Sequence, residues 1–496
     1  SEWSSTQKRF ENIHSSGIEN HSKKNFDPIF QTKSNSMQQY SDYLVREWLW
    51  EDLWGSTQIH THIILIGTKP DIIKQAPLYL ELKSRWILTL LIHTGQHHDY
   101  ILSEWVLQEF GMIVDINLNV SGALHEKYSK IVDQLWRILT KLMEEYKKIP
   151  IPYVHGDTLT ATTADKAAFL TKCSVVHVEA GIRTITPNKE FYHRLFENYK
   201  TQPFDFASYR ESLMNRTIYE TGSIEPYPEQ FDTRGIEWST WFFAAPTALA
   251  EQFLINEGHD PDHIVVTGNT VVDAVRHSQE KVHTSRAFDM YPNMKGKKFI
   301  FVTVHRRENT ENKERFLTIF YGLKKLLQDG VPVCFLALYA SEWAIDTYGL
   351  RAELQEMIEQ YSDTFAYGPA LAHHHEVIDM ISQAWAVVMD SGSMQEEANI
   401  IGVPCVTLRF WSDRWETIIA GANVLAPPIN SRLIAEIVHG ALESTQMKNV
   451  ANLYGENVCA KIVDGVEWLL GRYGKLFLYD DERLELRKFI DYSIEK

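Results

Sequence analysis

The feature that most constrains this chain of 496 residues is a repeated order of short apolar run, polar loop and amphipathic helix, which begins at Ile59. Short apolar runs bounded by Gly, Pro and polar residues read as strands buried on both faces, the parallel type, because helices must cover each side of the sheet. IHTHIILIG (59–67), WILTLLIHTG (86–95), IPYVHGD (151–157) and SVVHVEAG (174–181) are such runs, with helical stretches IKQAPLYLELKS, 124–148 and TTADKAAFLTK between them. Strand and helix in alternation mean an α/β doubly wound sheet. The pattern pauses over 185–228, a polar, aromatic-rich segment, and resumes with WFFAAPT (241–247), ALAEQFLINEG and HIVVTGN. After the basic linker NMKGKK (293–298) a second cycle follows: KFIFVTVHRREN, VPVCFLALY, TFAYGPA, WAVVMDSGS and VPCVTLR. Two Rossmann-like halves are expected, joined near residues 263–297.

The ends differ. Residues 1–40 are rich in Ser, Asn, Lys and Gln and read as a loosely packed extension. In 41–54, Leu44, Val45, Trp48, Leu49 and Leu53 fall on one helical face behind Ser41, a plausible N-cap, so a helix is expected there. The last segment, 475–496, reads as a charged helix lying against one of the halves. The 49 Lys and Arg against 65 Asp and Glu give a formal charge of −16, which argues against a nucleic-acid or anionic-membrane binder. Small anionic ligands remain open, since a few placed cations and backbone N–H groups suffice for them. Cys173, Cys334, Cys405 and Cys459 show no CxxC spacing, so reduced, buried thiols are expected rather than disulfides or a zinc site. No run approaches the roughly 20 apolar residues of a membrane span, and 1–39 lacks the basic-then-apolar order of a signal peptide. A cytoplasmic protein is the expectation.

In open α/β sheets, ligands bind beyond the carboxyl ends of the strands, so the polar residues after each apolar run are where function is sought. In AWAVVMDSGSMQEEANIIGVP (384–404) a strand ends at Asp390, and a helix begins near Met394 after Ser391, Gly392 and Ser393. Free N–H groups there and the two hydroxyls make an anion site suited to a diphosphate, with Glu396 or Glu397 in reach of a ribose diol. The bland alternative is a helix start whose acids offset the macrodipole. GTKPDIIK (67–74) places Lys69 and Lys74 after the first strand. HTGQHHDY (93–100) places Gln96, His97, His98 and Asp99 after the second, as a polar loop rather than a metal site, since no third ligand stands at useful spacing. Asp157 (VHGD), Glu179 and Arg183 (HVEAGIRT), and Glu225, Glu229 and Arg234 follow in turn. Acids at the tips of successive parallel strands converge, which is the raw material for proton transfer. FIFVTVHRRENT adds His305, Arg306, Arg307 and Glu308, and LRFWSDRWE adds Arg409, Arg414 and Glu416. HHHE (373–376) reads as a ligand-edge or surface loop.

GTKPDIIK, HTGQHHDY, VHGDTLTAT, HVEAGIRT, PEQFDTR, VTGNTVVDAV, VTVHRREN, DSGSMQEEA and SDRWE resemble, in order and spacing, the non-hydrolysing UDP-N-acetylglucosamine 2-epimerases, over roughly residues 59–475. The resemblance implies a GT-B architecture, two Rossmann-like doubly wound domains with a cleft between them. In this chain that gives an extension over 1–57, an N-terminal domain over 58–263 with an insertion at 185–224, a UDP-binding domain over 264–475, and a helix over 476–496 packing back on the N-terminal domain. It also implies a homodimer with no cofactor and no metal. The implied reaction inverts carbon 2 of UDP-GlcNAc to give UDP-ManNAc, by eliminating UDP to a bound 2-acetamidoglucal and adding it back. The implied catalytic set is Asp157, Glu179, Glu229 and His305. The implied substrate contacts are Lys69, Lys74, Gln96, Arg183, Arg306, Ser391, Gly392, Ser393, Glu397 and Arg414.

Several positions depart from the family pattern. Lys69 stands where Arg is usual, turning a bidentate phosphate contact into a point charge. Asp232-Thr233 replaces an Asn-Arg pair, and Trp238 and Trp241 replace a His and an Asp. Tyr339 and Asp99 replace two of the four residues that bind an activating second UDP-GlcNAc in bacterial members, beside Gln96 and Arg306, so activation in that manner is not expected. Three other readings stay open: an epimerase for a related UDP-diacetamido sugar, a GT-B glycosyltransferase, and a UDP-sugar-binding protein whose activity has lapsed.

Overall fold

The computed structural model describes residues 36–95, 100–220 and 229–473. Residues 1–35 of the extension expected over 1–57, the loop with Gln96 to Asp99, Glu225 and the helix expected over 476–496 lie outside these residues. Among the described residues the chain forms one nine-stranded and one six-stranded sheet. The first sheet runs Met37–Tyr40, Tyr43–Arg46, Ile116–Asn117, Thr89–His93, His60–Ile66, Ile149–His155, Val175–Val178, Thr240–Ala245, Ile264–Val266. From Ile116–Asn117 onward its neighbours are parallel. The second runs Phe365–Pro369, Val333–Ala337, Ile300–Thr303, Ala386–Met389, Cys405–Thr407, Asn423–Leu425, all parallel. Each apolar run of the sequence forms a strand; most are central and buried because helices cover both faces. HIVVTGN and TFAYGPA instead supply the edge strands Ile264–Val266 and Phe365–Pro369, which are partly exposed. All four cysteines are free and buried.

Local chemistry sets the loops that matter for the site. The helix after the first strand is Lys69–Ser84, four residues longer at its start than the apolar pattern shows. Thr68 and Asp71 form a reciprocal capping box, and Pro70 stands in the first turn where its missing N–H costs nothing. The two units share a boundary that is not a single cut. Strand Ile264–Val266 still belongs to the first sheet. The helix Val458–Tyr473 has already returned to it, with Val458, Ile462, Val463, Val466 and Leu470 packed in one core with Ile64, Tyr153, Val176 and Trp241.

Near the N-terminus an expectation is overturned. The helix expected over 41–54 is instead an antiparallel hairpin, Met37–Tyr40 with Tyr43–Arg46, followed by a short helix Leu49–Gly55. Tyr43 and Val45 are buried while Leu44 and Arg46 are half-buried, an alternation of period two, and Ser41 takes the left-handed conformation the turn requires (φ 58°). The hairpin extends the sheet edge through Ile116–Asn117.

The segment 185–220 is structured and does not hang over the cleft. A two-stranded ladder, Thr186–Pro187 with Tyr219–Glu220, closes its base, and helices Lys189–Thr201 and Phe206–Met214 stand between. Phe191, Tyr209, Leu213 and Ile218 belong to the core of the second unit, beside Phe316, Leu323 and Ile434. The Tyr209 hydroxyl donates to the Leu425 carbonyl (2.8 Å), Arg210 Nε to the Gly421 carbonyl (3.1 Å), and the Tyr192 hydroxyl to the Phe410 carbonyl. The insertion leaves the first unit after Glu179 and Arg183, docks on the second, and returns. It is a covalent strap between the two.

Candidate active site

The residues that follow the strands of both sheets line one cleft of about 560 Å³. From the first unit come Lys74, Asp157 and Glu179, and from the second His305, Arg306, Ser391, Gly392, Ser393 and Arg414. Nine of the fourteen residues proposed from sequence thus line a single space. His155, Asp71, Asp232, Arg307, Glu308 and Asp413 line it as well.

The helix Ser393–Ile401 opens on this cleft. Its N-cap is Gly392, and no side chain caps its first N–H groups. A Cβ on Gly392 would lie 2.9 Å from Asp413 Oδ2, so glycine is what lets the two loops meet. A helix start without a side-chain cap, with the positive end of the helix behind it, is a wall that can accept an anion.

Glu179 forms the opposite wall. Its backbone is left-handed (φ 68°), a conformation that strains a residue with a side chain and concentrates at functional sites. Gly156 (φ 60°) makes the neighbouring turn, and a Cβ there would sit 3.0 Å from Glu179 Oε2. Both turns are shaped around this carboxylate. Its Oε1 accepts from Lys74 Nζ (2.5 Å), Asn269 Nδ2 (2.7 Å) and Arg414 Nη2 (2.9 Å). The same three side chains hold Glu396: Lys74 Nζ at 2.7 Å from Oε2, with Asn269 Nδ2 (2.8 Å) and Arg414 Nε on Oε1. Two carboxylates therefore share two cations in a buried cluster. Burial alone would raise the pKa of Glu179, but Lys74, Arg414 and His155 outweigh it and hold it well below the usual carboxylate range. Burial of Glu396 prevails over the pull of Arg414 and Lys74, and Glu179 beside it adds to the push, so Glu396 sits at about 7.

His305 lies at the end of strand Ile300–Thr303. Asp390, fully buried, accepts the backbone N–H of His305 (3.0 Å) and Arg306 (3.0 Å) and Nδ2 of Asn309 (3.0 Å). Its Oδ1 is also 3.3 Å from His305 Nδ1. Desolvation pushes the His305 pKa down despite Asp390, which favours a neutral ring at neutral pH.

The remaining proposed residues lie elsewhere. Lys69 reaches across to the second unit and donates to the carbonyls of Leu371 (3.2 Å) and Ala372 (3.3 Å). Arg183 does not line the cleft. It is buried against Glu237, and its Nη2 is 2.7 Å from Glu257, so its charge is already matched. Glu397 is buried 3.2 Å from His374 Nε2, whose Nδ1 meets Ser278 Oγ at 2.7 Å. Glu229 begins helix Glu229–Glu237, but its side chain, like Gln96, is outside the described residues. HHHE is not a surface loop. Helix His374–Gln383 starts inside it, and Glu109 of the first unit accepts the backbone N–H of His374 (2.7 Å) and His375 (2.9 Å). Among the described residues two groups bring donor atoms within 4.8 Å of one another, Glu109 with His373 and His375, and Glu237 with Glu257 and His259. The first carboxylate already caps a helix and the second pair already binds Arg183.

Sequence reasoning missed Asn269 and His155 as site residues, although both stand in quoted motifs. A signal existed for His155, which ends a buried strand beside the one that Glu179 follows, whereas Asn269 stands three residues beyond the edge strand Ile264–Val266.

A profile of the UDP-N-acetylglucosamine 2-epimerase family matches residues 81–194 and 221–467, passing over most of the strap. The chain is 27% identical over 417 residues to a UDP-N-acetylglucosamine 2-epimerase of Campylobacter jejuni, covering 81% of this chain and 96% of that protein. Its fold is similar to the crystal structure of the Methanocaldococcus jannaschii UDP-GlcNAc 2-epimerase in complex with UDP-GlcNAc and UDP, at a TM-score of 0.66 and 26% identity, covering 82% of this chain and 99% of that one. The Neisseria meningitidis UDP-GlcNAc 2-epimerase bound to UDP-GlcNAc is similar at a TM-score of 0.64 and 26% identity, over 83% of this chain and 100% of that one. With a two-sheet GT-B fold and the family profile matched over most of its length, this chain belongs to the UDP-N-acetylglucosamine 2-epimerase family.

Proposed function

We propose that this protein interconverts UDP-N-acetylglucosamine and UDP-N-acetylmannosamine by eliminating UDP and adding it back to a bound 2-acetamidoglucal. The observation that carries this reading is the juxtaposition in one cleft of an uncapped helix start with Asp157, Glu179 and His305. Breaking the bond from carbon 1 to UDP leaves negative charge on the diphosphate, which free N–H groups at the Ser393 helix stabilise as it develops. Inverting carbon 2 needs a group to take its proton and a group on the other face to return one, and carboxylates and a neutral imidazole on facing walls supply both. The cleft holds UDP while its bond is broken, which separates epimerisation from hydrolysis. A homodimer in the cytoplasm belongs to the same proposal, and light scattering tests the dimer.

The purified protein is expected to convert UDP-GlcNAc to UDP-ManNAc without an acceptor and to bring solvent deuterium into carbon 2. Release of UDP or sugar transfer without either outcome would reject epimerisation in favour of a glycosyltransferase.

A further inference from the structure

The two oxygens of Glu179 are not equivalent. Oε1 is taken by Lys74, Asn269 and Arg414, three donors that leave it no lone pair for substrate. Oε2 faces Gly156 and lies 3.2 Å from Nε2 of His155. The other ring nitrogen, Nδ1, is 3.5 Å from Asp71 Oδ1, and both contacts are of ion-pair length, with neither ring nitrogen making a hydrogen bond. Asp71 has its second oxygen in the capping box, where Oδ2 accepts the Thr68 N–H (3.2 Å), so its carboxylate is fixed by the helix start. All three side chains are buried and all three line the cleft.

We infer that His155 is a positioning residue: an imidazolium strung between Asp71 and Glu179 that aims Oε2 of Glu179 at the substrate and keeps it ionised. This rests on the reading of Glu179 as a proton-transfer group of the cleft. An imidazolium has two N–H groups and can meet both carboxylates at once, whereas a neutral ring donates to one and leaves the other facing a lone pair. His155 ends strand Ile149–His155 and Glu179 follows Val175–Val178, adjacent parallel strands, so the arrangement is set by register. The groups facing the ring are Asp71 and Lys74 of helix Lys69–Ser84 and Glu179, with His177 on the next strand and His93 beyond Asp71. Burial opposes the charge on His155, but Glu179 and Asp71 outweigh burial and the repulsion of Lys74, and the pKa is raised to about 9. His177 and His93 are shifted the other way, chiefly by burial, and stay neutral. Bond-making stays with Glu179: the carbon 2 proton moves to or from Oε2, and His155 keeps its own protons throughout.

The test is His155→Gln, which keeps a donor for Oε2 and removes the charge. In the parent, kcat for deuterium entry at carbon 2 is expected to fall as pH passes about 9. In His155→Gln, kcat at neutral pH drops about 100-fold with KM changed less than about twofold, as a misplaced reacting group dictates. The alkaline fall attributable to His155 disappears as well. Unchanged kcat, or a rise in KM with the alkaline fall intact, overturns the inference. Nuclear magnetic resonance of the histidine-labelled full chain reads the ring without using activity, the His155 signal being the one missing from His155→Gln. A charged ring at neutral pH that loses its charge at lower pH in Asp71→Asn supports the inference, and a neutral ring at pH 7 overturns it. If the parent turns over no UDP-GlcNAc, the functional reading fails, and the resonance measurement still decides the state of His155.

Discussion

Glu396→Gln gives the sharpest test of the buried cluster, because the structure fixes the sign of its effect. Glu396 is fully buried, and its oxygens face Lys74, Arg414 and Asn269. Its carboxyl, at 4.5 when free, is pushed up to about 7 in the folded protein. Between those values the folded protein binds more protons than the unfolded chain, so stability falls as pH rises. The contribution is fully present below 4.5 and is lost as pH passes 7. Integrated from about pH 5.5 to about pH 8, this one group removes on the order of 2 kcal/mol. A glutamine has the same shape and no proton to lose. Its NH2 must face a cation, which sets a cost that is the same at every pH, so the decisive quantity is the change in the gap rather than the gap itself. Urea unfolding followed by tryptophan fluorescence at the two pH values is the assay. The variant is expected to gain about 2 kcal/mol on the parent on going to the higher pH. A gap that stays constant within about 0.5 kcal/mol refutes the argument, since Glu396 would then titrate alike in the folded and unfolded states.

Other consequences can be checked one at a time. A Cβ at Gly440 would lie 2.1 Å from Phe206 Cγ, so Gly440→Ala wedges the strap off the second unit. It should destabilise the protein by about 1–3 kcal/mol and open 189–214 to limited proteolysis. Tyr209→Phe removes the hydrogen bond to the Leu425 carbonyl and should cost about 1 kcal/mol in urea unfolding, or somewhat more since the buried acceptor is left unpaired. Gly181 has φ 82°, and a Cβ there would meet the Ala250 carbonyl oxygen at 2.5 Å. Gly181→Ala should lower stability by more than about 2 kcal/mol and, by shifting the turn that carries Glu179, reduce turnover as well.

What the sequence made legible, and what it hid, follows from the range of the forces involved. THIILI and its counterparts could be read because burial on both faces writes a continuous apolar run. The segment 41–54 could not, because Leu44, Val45, Trp48, Leu49 and Leu53 fit a helical face as well as they fit a strand, turn and short helix. The strap carried a signal that went unused. Phe191 with Leu195, and Tyr192 with Phe196 and Tyr199, recur at helical spacing within a polar segment, which is how a docking helix looks before its partner is known. In the site, position was legible and pairing was not. That Lys74, Glu179 and Arg414 stand at strand ends follows from the local pattern. That Lys74 meets Glu179 across 105 positions and Glu396 across 322 is a fact of tertiary packing. Residue type at a loop announces a charge without its counter-charge, and the counter-charge decides what the group can do. Lys74 and Arg414 read as phosphate partners, yet both are held by the carboxylates of Glu179 and Glu396. A diphosphate entering beside the Ser393 helix must therefore compete with Glu179 and Glu396 for them. Any share of the two cations that it wins leaves Glu179 more basic, so anion binding and proton affinity in this cleft are linked in sign.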